Sequence, residues 1–389
     1  MNILFCNTSD VSEIKGGTER ITARISKGLT DKGHQCFLSY KTEIDAELPL
    51  TPFVSRINVN KTSLEDFILK YHIDVVIIQK MTRDVKIFSS IREQHHLDLK
   101  IISVLHFNPG YELKDMSMSK ALRILRKESN GLKNYVKNTV RVITYPFYRM
   151  LYPLRDKELY RNVYQYSDRV VLLSAAFIDE YADYCGLKDI NKFVVIPNAL
   201  SYDEFFPVEK LCEKKKQALI VSRLVPSKRV DLALKVWSEI ERDGEYYDWN
   251  LVVVGDGRER ERLENLKKAL GLQQVELVGR QNPKSYYQES RLFLMTSAHE
   301  GWGLTITEAQ QMGCVPVAFD SFSSLKDIIT DKETGYIVKD CDLKTYIHKI
   351  KLLMSDNTLR LQMAGNAISS CKRFQLDAIT SYWETLILE

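Results

Sequence analysis

No run of apolar residues in this chain of 389 approaches the ~20 that a membrane-spanning helix needs. The opening stretch MNILFCNTSD also lacks a basic region ahead of its short apolar run, so a secretory signal is not expected and the chain reads as cytoplasmic. Cysteine is sparse and scattered: the seven residues are odd in number and never spaced CxxC, which argues against zinc ribbons and a disulfide framework. They read as small hydrophobes in a reducing compartment. There is no short internal repeat and no low-complexity segment, and the net charge is only +4, so only a local concentration of charge can name a partner. What is present is ordinary for a folded protein, with 44% hydrophobic and 27% charged residues. The length exceeds what one core usually fills, so two domains are expected.

Short apolar runs alternate with helical patterns along the chain. Ile3 to Cys6 opens it, and TERITARISKGL then spaces Ile21, Ile25 and Leu29 on one helical face before Gly33 ends the helix. CFLSY, DVVIIQ, IISVL, RVVLLS and FVVIP follow, interleaved with LEDFILKYH and AFIDEYADYCG, which is the rhythm of crossover units building a parallel sheet. A polar, charged stretch from Ser201 to Gln217 reads as a linker. Beyond it the rhythm restarts with QALIVS, VDLALKVWSEIE, LVVVG, RERERLENLKKALG, VELVG, RLFLMTS, TITEAQQMG and CVPVAF. The expected class is therefore α/β, with two facing Rossmann-like, doubly wound domains and a cleft between them, ligands lying beyond the carboxyl ends of strands.

The stretch HEGWGLTITEA sets Glu300 and Glu308 eight positions apart across a helix start. Free N–H groups at Gly303, Leu304 and Thr305 would favour an anion by about 0.3–2 kcal/mol. Glu308, one turn in, has two oxygens to offer a vicinal diol such as that of a ribose. The plainer reading makes Glu308 a first-turn acid serving the helix dipole and Glu300 a solvated loop residue. VSRLVPSKRVD shifts the balance toward a ligand, because it follows the first strand of the second domain and puts Arg223 and Lys228 within reach of a diphosphate.

Together with KGGTERITARI near the start, VVIPNAL, VVVGDG and VELVGR, these motifs in this order resemble the family 4 glycosyltransferases of the GT-B fold over nearly the whole chain. The resemblance implies a retaining transfer from a nucleotide sugar, a UDP-sugar by default, with no metal and no other cofactor. It implies that Arg223 and Lys228 neutralise the diphosphate leaving group and that Glu308 holds the ribose. Glu300 would meet the donor-sugar hydroxyls and the charge of an oxocarbenium-like transition state, and His106, ending IISVLH, would lie beside the transferred sugar. Gly16 and Gly17 would admit the donor phosphate or the acceptor close to the backbone, while Gly255 and Arg280 would border the base. Residues 1–200 would form the acceptor-side domain and 201–375 the nucleotide-sugar domain, with a helix over 376–389 returning to the first. The chain departs from the family at Asn198-Ala199, usually Asn-Gly, at Ser323-Ser324, usually Gly-Gly, and at Trp302, commonly Phe and read here as packing. GDGRER at Gly255 lacks the third glycine of a dinucleotide fingerprint, so a dehydrogenase is not expected. DCD at Asp340 to Asp342 reads as a helix N-cap at Asp342 in preference to a metal motif.

An extra basic helical insertion occupies about residues 112–161. From Lys114 to Arg161 it holds twelve Lys or Arg and four Asp or Glu, a net +8 in a chain whose total is +4. Lys133, Lys137 and Arg141 recur at i, i+4, i+8 beside Leu132, Val136, Val140 and Ile143, and the aromatic run TYPFYRMLYP follows. The pattern suits an anionic membrane surface. A hairpin packed on the first domain and a basic pocket for an acceptor diphosphate remain open, and nucleic acid is not expected because no binding module accompanies the charge. The function expected is a glycosyltransferase at the inner face of the membrane that extends a lipid-linked or lipid-anchored saccharide in O-antigen, capsule or lipopolysaccharide synthesis. The alternatives are a soluble or protein acceptor, and a non-catalytic nucleotide-sugar-binding protein, which would need neither Glu300 nor His106.

Overall fold

The computed structural model describes residues 1–11, 16–43, 53–79, 84–107, 109–111 and 132–389, apart from the side chains at 132, 133 and 141. Its strands are β1 (Asn2–Cys6), β2 (Gln35–Tyr40), β3 (Arg56–Asn58), β4 (Val75–Ile78), β5 (Lys100–Leu105), β6 (Arg169–Leu172), β7 (Phe193–Val195), β8 (Lys215–Val221), β9 (Asn250–Val254), β10 (Val275–Gly279), β11 (Ser290–Met295), β12 (Val315–Asp320) and β13 (Tyr336–Lys339). The helices are α1 (Gly17–Asp31), α2 (Leu64–Lys70), α3 (Val85–Gln94), α4 (Leu132–Ile143), α5 (Tyr145–Tyr166), α6 (Ala176–Cys185), α7 (Val230–Arg242), α8 (Arg260–Ala269), α9 (Lys284–Glu289), α10 (Leu304–Gln311), α11 (Leu325–Ile328), α12 (Leu343–Ser355), α13 (Asn357–Cys371) and α14 (Leu376–Leu388).

Two wholly parallel sheets form, in the orders β3-β2-β1-β4-β5-β6-β7 and β10-β9-β8-β11-β12-β13. Both are doubly wound, as the apolar runs predict. Val75 to Ile78 are completely buried, which a strand covered by helices on both faces requires, and this is why such strands read as unbroken Val/Ile runs. In the second sheet Leu251, Val253, Leu292, Leu294, Val315 and Val317 share one core with Trp237 of α7 and Tyr346 of α12.

The described chain divides into two compact units. The first takes Met1–Asp10, Gln35–Ile44 and Phe53–Val195, and the second includes Val11–His34 and Ile196–Glu389. Helix α1 therefore belongs with the second unit, although β1 and β2 on either side of it belong to the first. Within the second unit it packs on α14. Lys32 pairs with Glu384 at 2.6 Å, and Arg24 donates to the Leu200 carbonyl and to Asp203 at 3.2 and 2.6 Å. Ile21, Ile25 and Leu29 are buried, as their spacing predicts.

The structure differs from the sequence reading in its shorter pieces. The stretch read as a linker holds a 3-10 turn over Val208–Glu213, and β8 starts at Lys215, before the apolar run, because Lys215 pairs with Ser290 of β11. The aromatic run lies in the 22-residue α5, where Pro146 sits in the first turn and needs no intrahelical N–H partner. No described helix is long and apolar enough to cross a membrane.

Gly28 sets how closely α1 meets α14, since a Cβ there would stand 2.3 Å from Thr380 Oγ1. Thr380 is itself buried. Gly28→Ala is predicted to destabilise by about 1–3 kcal/mol through overpacking, although alanine is the better helix former by ~1 kcal/mol. Urea unfolding measures this, and an unchanged midpoint would mean that α14 is not seated at Gly28.

Candidate functional site

Strands β8 and β11 are neighbours at the centre of the second sheet, where the strand order reverses. A doubly wound sheet opens a crevice at this switch point, beyond the carboxyl ends of its strands. Arg223 follows β8 there and is exposed; the Thr296–Glu300 loop follows β11. The two loops are tied together. Ala298 N donates to the Ser227 carbonyl at 2.7 Å, and Thr296 Oγ1 lies 3.0 Å from the carbonyls of both Lys228 and Arg229. Their side chains meet as well: Lys228 Nζ pairs with Glu300 Oε1, which also accepts from Ser297 Oγ at 2.8 Å. Both members of the pair are about 15% exposed, within reach of a ligand.

Gly255 directly follows β9, against these loops, with φ 142°, and a Cβ there would lie 1.8 Å from the Ser222 carbonyl. Only glycine fits. Its N–H donates to Gly279 O at 2.7 Å, which brings the Gly279 turn and the exposed Arg280 beside it.

Helix α10 begins on the same side of the sheet, since it follows the β11 loop. Gly303 turns the chain with φ 89°, and among the described residues the first helical N–H groups make one hydrogen bond, from Ile306 to Gly303 O at 2.8 Å. Those of Leu304 and Thr305 are thus set for an anion. Gly17, at the start of α1, abuts this turn: a Cβ on it would stand 3.1 Å from Leu304, while one on Gly16 would meet Glu19.

Glu308 lies differently from the simplest expectation. Its carboxylate is 1% exposed and already holds three donors: Ser201 Oγ at 2.6 Å and Arg20 at 2.9 Å on Oε1, and the Tyr287 hydroxyl at 2.9 Å on Oε2. The carboxylate raises the Arg20 pKa, and burial together with Glu308 keeps the Tyr287 hydroxyl far above its usual range, so both remain protonated donors. A ribose diol would reach Glu308 only by replacing one of them. GGTER gives no local sign of this pairing, because Arg20 and Glu308 are far apart in sequence.

The other predicted residues divide clearly. His106 directly follows β5 in the first unit, where its Nε2 lies 2.6 Å from Oε1 of the buried Gln79. Lys137 is exposed on α4; the side chains of Lys133 and Arg141 on that helix, and residues 112–131, lie outside the described residues. Trp302 is buried and packs edge-on against Phe374, so it serves packing. Asp342 caps α12 by accepting from Thr345 N, again as expected. Ser324, one of the family departures, donates to Gly301 O at 2.9 Å and so braces the loop of Glu300. Among the described residues no group of three or more His, Cys, Asp or Glu is arranged to hold a metal.

This region resembles known proteins. Residues 201–370 match the family described as Glycosyl transferases group 1. An uncharacterized glycosyltransferase of Haemophilus influenzae is 31% identical over 200 residues, which is 51% of this chain and 55% of that protein. A Campylobacter jejuni enzyme, GalNAc-alpha-(1->4)-GalNAc-alpha-(1->3)-diNAcBac-PP-undecaprenol alpha-1,4-N-acetyl-D-galactosaminyltransferase, is 25% identical over 51% of this chain and 55% of its own. The chain thus spans about half the length of the curated relatives it matches. The crystal structure of Anabaena HepE in complex with UDP-glucose superposes with a TM-score of 0.71 at 17% identity, covering 100% of both chains. That likeness shows the fold, two doubly wound parallel-sheet units of GT-B type.

Glu308→Ala is predicted to destabilise the protein strongly by leaving Arg20 without its counter-ion, toward the lower end of ~3–5 kcal/mol because Arg20 is a quarter exposed. Arg20→Ala/Glu308→Ala should cost less than the two single changes summed, and denaturant unfolding of the four proteins measures the coupling. Additive losses would dissolve the pair.

Proposed function

We propose that this chain is a retaining, metal-independent glycosyltransferase of family 4, moving a sugar from a nucleotide sugar, with a UDP-sugar favoured, to a lipid-linked or lipid-anchored saccharide in cell-surface glycan synthesis. One observation carries the reading. Arg223, Lys228, Glu300 and the open start of α10 gather at the switch point of the unit that matches the group 1 glycosyl transferases.

The chemistry follows from the charges. Breaking the anomeric bond of a nucleotide sugar leaves negative charge on the diphosphate and positive charge on the sugar ring. Arg223, Lys228 and the N–H groups of Leu304 and Thr305 would oppose the first, and Glu300 the second. In the described state Lys228 and Glu300 neutralise each other. An arriving diphosphate would take over the lysine, and Glu300 would turn to the sugar hydroxyls and the developing cation. The acceptor oxygen bonds to the anomeric carbon as the bond from that carbon to the diphosphate oxygen breaks, and the hydroxyl proton passes to that departing oxygen; because attack and departure share one face of the sugar, configuration is retained. The fixed cations would supply the positive charge that a divalent metal could otherwise provide. Glu308 would hold the ribose once a diol hydroxyl replaces Ser201 or Arg20, and Gly255 and Arg280 would flank the base. The role proposed for His106, a group beside the transferred sugar, rests on the resemblance and on the strand end that carries it.

UDP is supported by the UDP-glucose complex of HepE, and a lipid-linked acceptor by the undecaprenol in the name of the Campylobacter relative. The surface of the first unit supports peripheral attachment to an anionic membrane. Val136, Val140 and Ile143 of α4 and Phe147, Met150 and Leu154 of α5 are each more than half exposed, beside the exposed Lys137, Arg149 and Arg155. So many large apolar side chains on neighbouring turns exceed what a monomer surface ordinarily shows. With cations interspersed they suit a headgroup layer.

UDP at 100 times its dissociation constant should stabilise the protein by ~2.7 kcal/mol, with GDP, ADP and dTDP giving less in the same thermal-shift series. Glu300→Gln should keep that shift and lose turnover of the nucleotide sugar, and EDTA should leave wild-type turnover intact. Absence of any nucleotide shift would end the reading, and rescue of an EDTA-treated protein by manganese would end its metal-free form. For the membrane, Phe147→Ser/Met150→Ser/Leu154→Ser should lower co-sedimentation with anionic vesicles, and the wild-type protein should retain part of its binding at 1 M salt, where screening falls to a Debye length of ~3 Å. Equal pelleting of variant and wild type would remove α5 from the attachment.

A further inference from the structure

Arg229, next to Lys228, has an unusual conformation for its residue type. Its φ is 47° and ψ 38°, in the left-handed region that side chains with a Cβ rarely adopt, at the junction of the Pro226–Lys228 turn and α7. Its side chain reaches two other loops. Nε donates to the Thr296 carbonyl at 2.7 Å and Nη2 to the Ser297 carbonyl at 2.9 Å. Nη2 and Nη1 also donate to the two carboxylate oxygens of Asp340 at 2.6 and 3.2 Å, Nη1 approaches Cys341 Sγ at 3.2 Å, and the guanidinium lies over the Phe319 ring. One side chain from the β8 loop thus holds the start of the β11 loop and the end of β13. The Ser297 carbonyl that it holds accepts from Ser321 Oγ as well, and the Ser297 hydroxyl in turn contacts Glu300.

We infer that Arg229 and Asp340 form a positioning pair that fixes Lys228 and Glu300 relative to each other, without touching the substrate; this rests on the glycosyl-transfer reading of the same site. The planar guanidinium suits this task, because its fork reaches two successive carbonyls and a carboxylate together, which a lysine ammonium cannot do in one geometry. Asp340 orients the fork from its far side. The first acid of the DCD motif thereby acquires a role separate from that of Asp342, which caps α12. The left-handed backbone persists because these bonds hold it, so glycine at 229 would accept the backbone and remove only the clamp.

Arg229→Gly separates these effects, and Asp340→Asn serves as a second variant that leaves the backbone untouched. Both should speed hydrogen exchange of the amides from Ser297 to Gly301 in the ligand-free protein, and both should lower kcat per folded molecule, by about 10²-fold for Arg229→Gly, as a displacement near 1 Å does in other enzymes. KM for the nucleotide sugar should move far less, because Arg223 and the start of α10 still meet the phosphates. Unchanged exchange over 297–301, or wild-type kcat in the folded fraction of both variants, would overturn the inference. If wild-type protein turns over no nucleotide sugar, the glycosyl-transfer reading fails, while the exchange measurement still decides whether the clamp exists.

Discussion

A parallel strand covered on both faces has no place along its length for an unpaired polar side chain, so the chemistry of a doubly wound unit is pushed to the strand ends. In the second unit Leu292 to Met295 are buried and the polar residues begin at Thr296. The same holds where β8 gives way to Ser222 and Arg223. Because β8 and β11 are adjacent, their loops must share one small region, and the backbone there is packed closely enough that Gly255 has no room for a Cβ. The site is in this sense a by-product of burying the sheet.

Much of this was legible in the sequence. The apolar runs that became β1, β2, β4 to β6 and β8 to β12 are long enough to stand out, and Gly303, Arg223, Lys228 and Glu300 fall at their ends as the motifs predict. Short elements such as β3, with three residues, carry too little periodicity to be seen. The pairings were not legible either. Lys228 with Glu300, Arg20 with Glu308 and Arg229 with Asp340 each join residues at least 72 positions apart, and no local pattern encodes which charge meets which. The allocation of α1 to the second unit was hidden for the same reason, since its helical face is visible in the sequence but its neighbour is not.

The two glutamates of one short motif end in different electrostatic settings. Glu300 shares a partly exposed pair with Lys228, where water and an incoming phosphate can compete. Glu308 is sealed beneath Arg20, Ser201 and Tyr287, where each lost partner leaves a buried charge exposed to no solvent. A substitution at the first is therefore a probe of chemistry, and one at the second is first a probe of folding.

The packing of α1 on α14 also constrains how the chain is made. Lys32 and Glu384 are separated by 352 positions, so a ribosome adding ~5–20 residues per second delivers the second roughly 20–70 s after the first. During that interval β1 and β2 have all their strand partners sooner than α1 has its helix partner. Until then the face of α1 around Gly28 lacks Thr380, the residue that covers it in the folded unit.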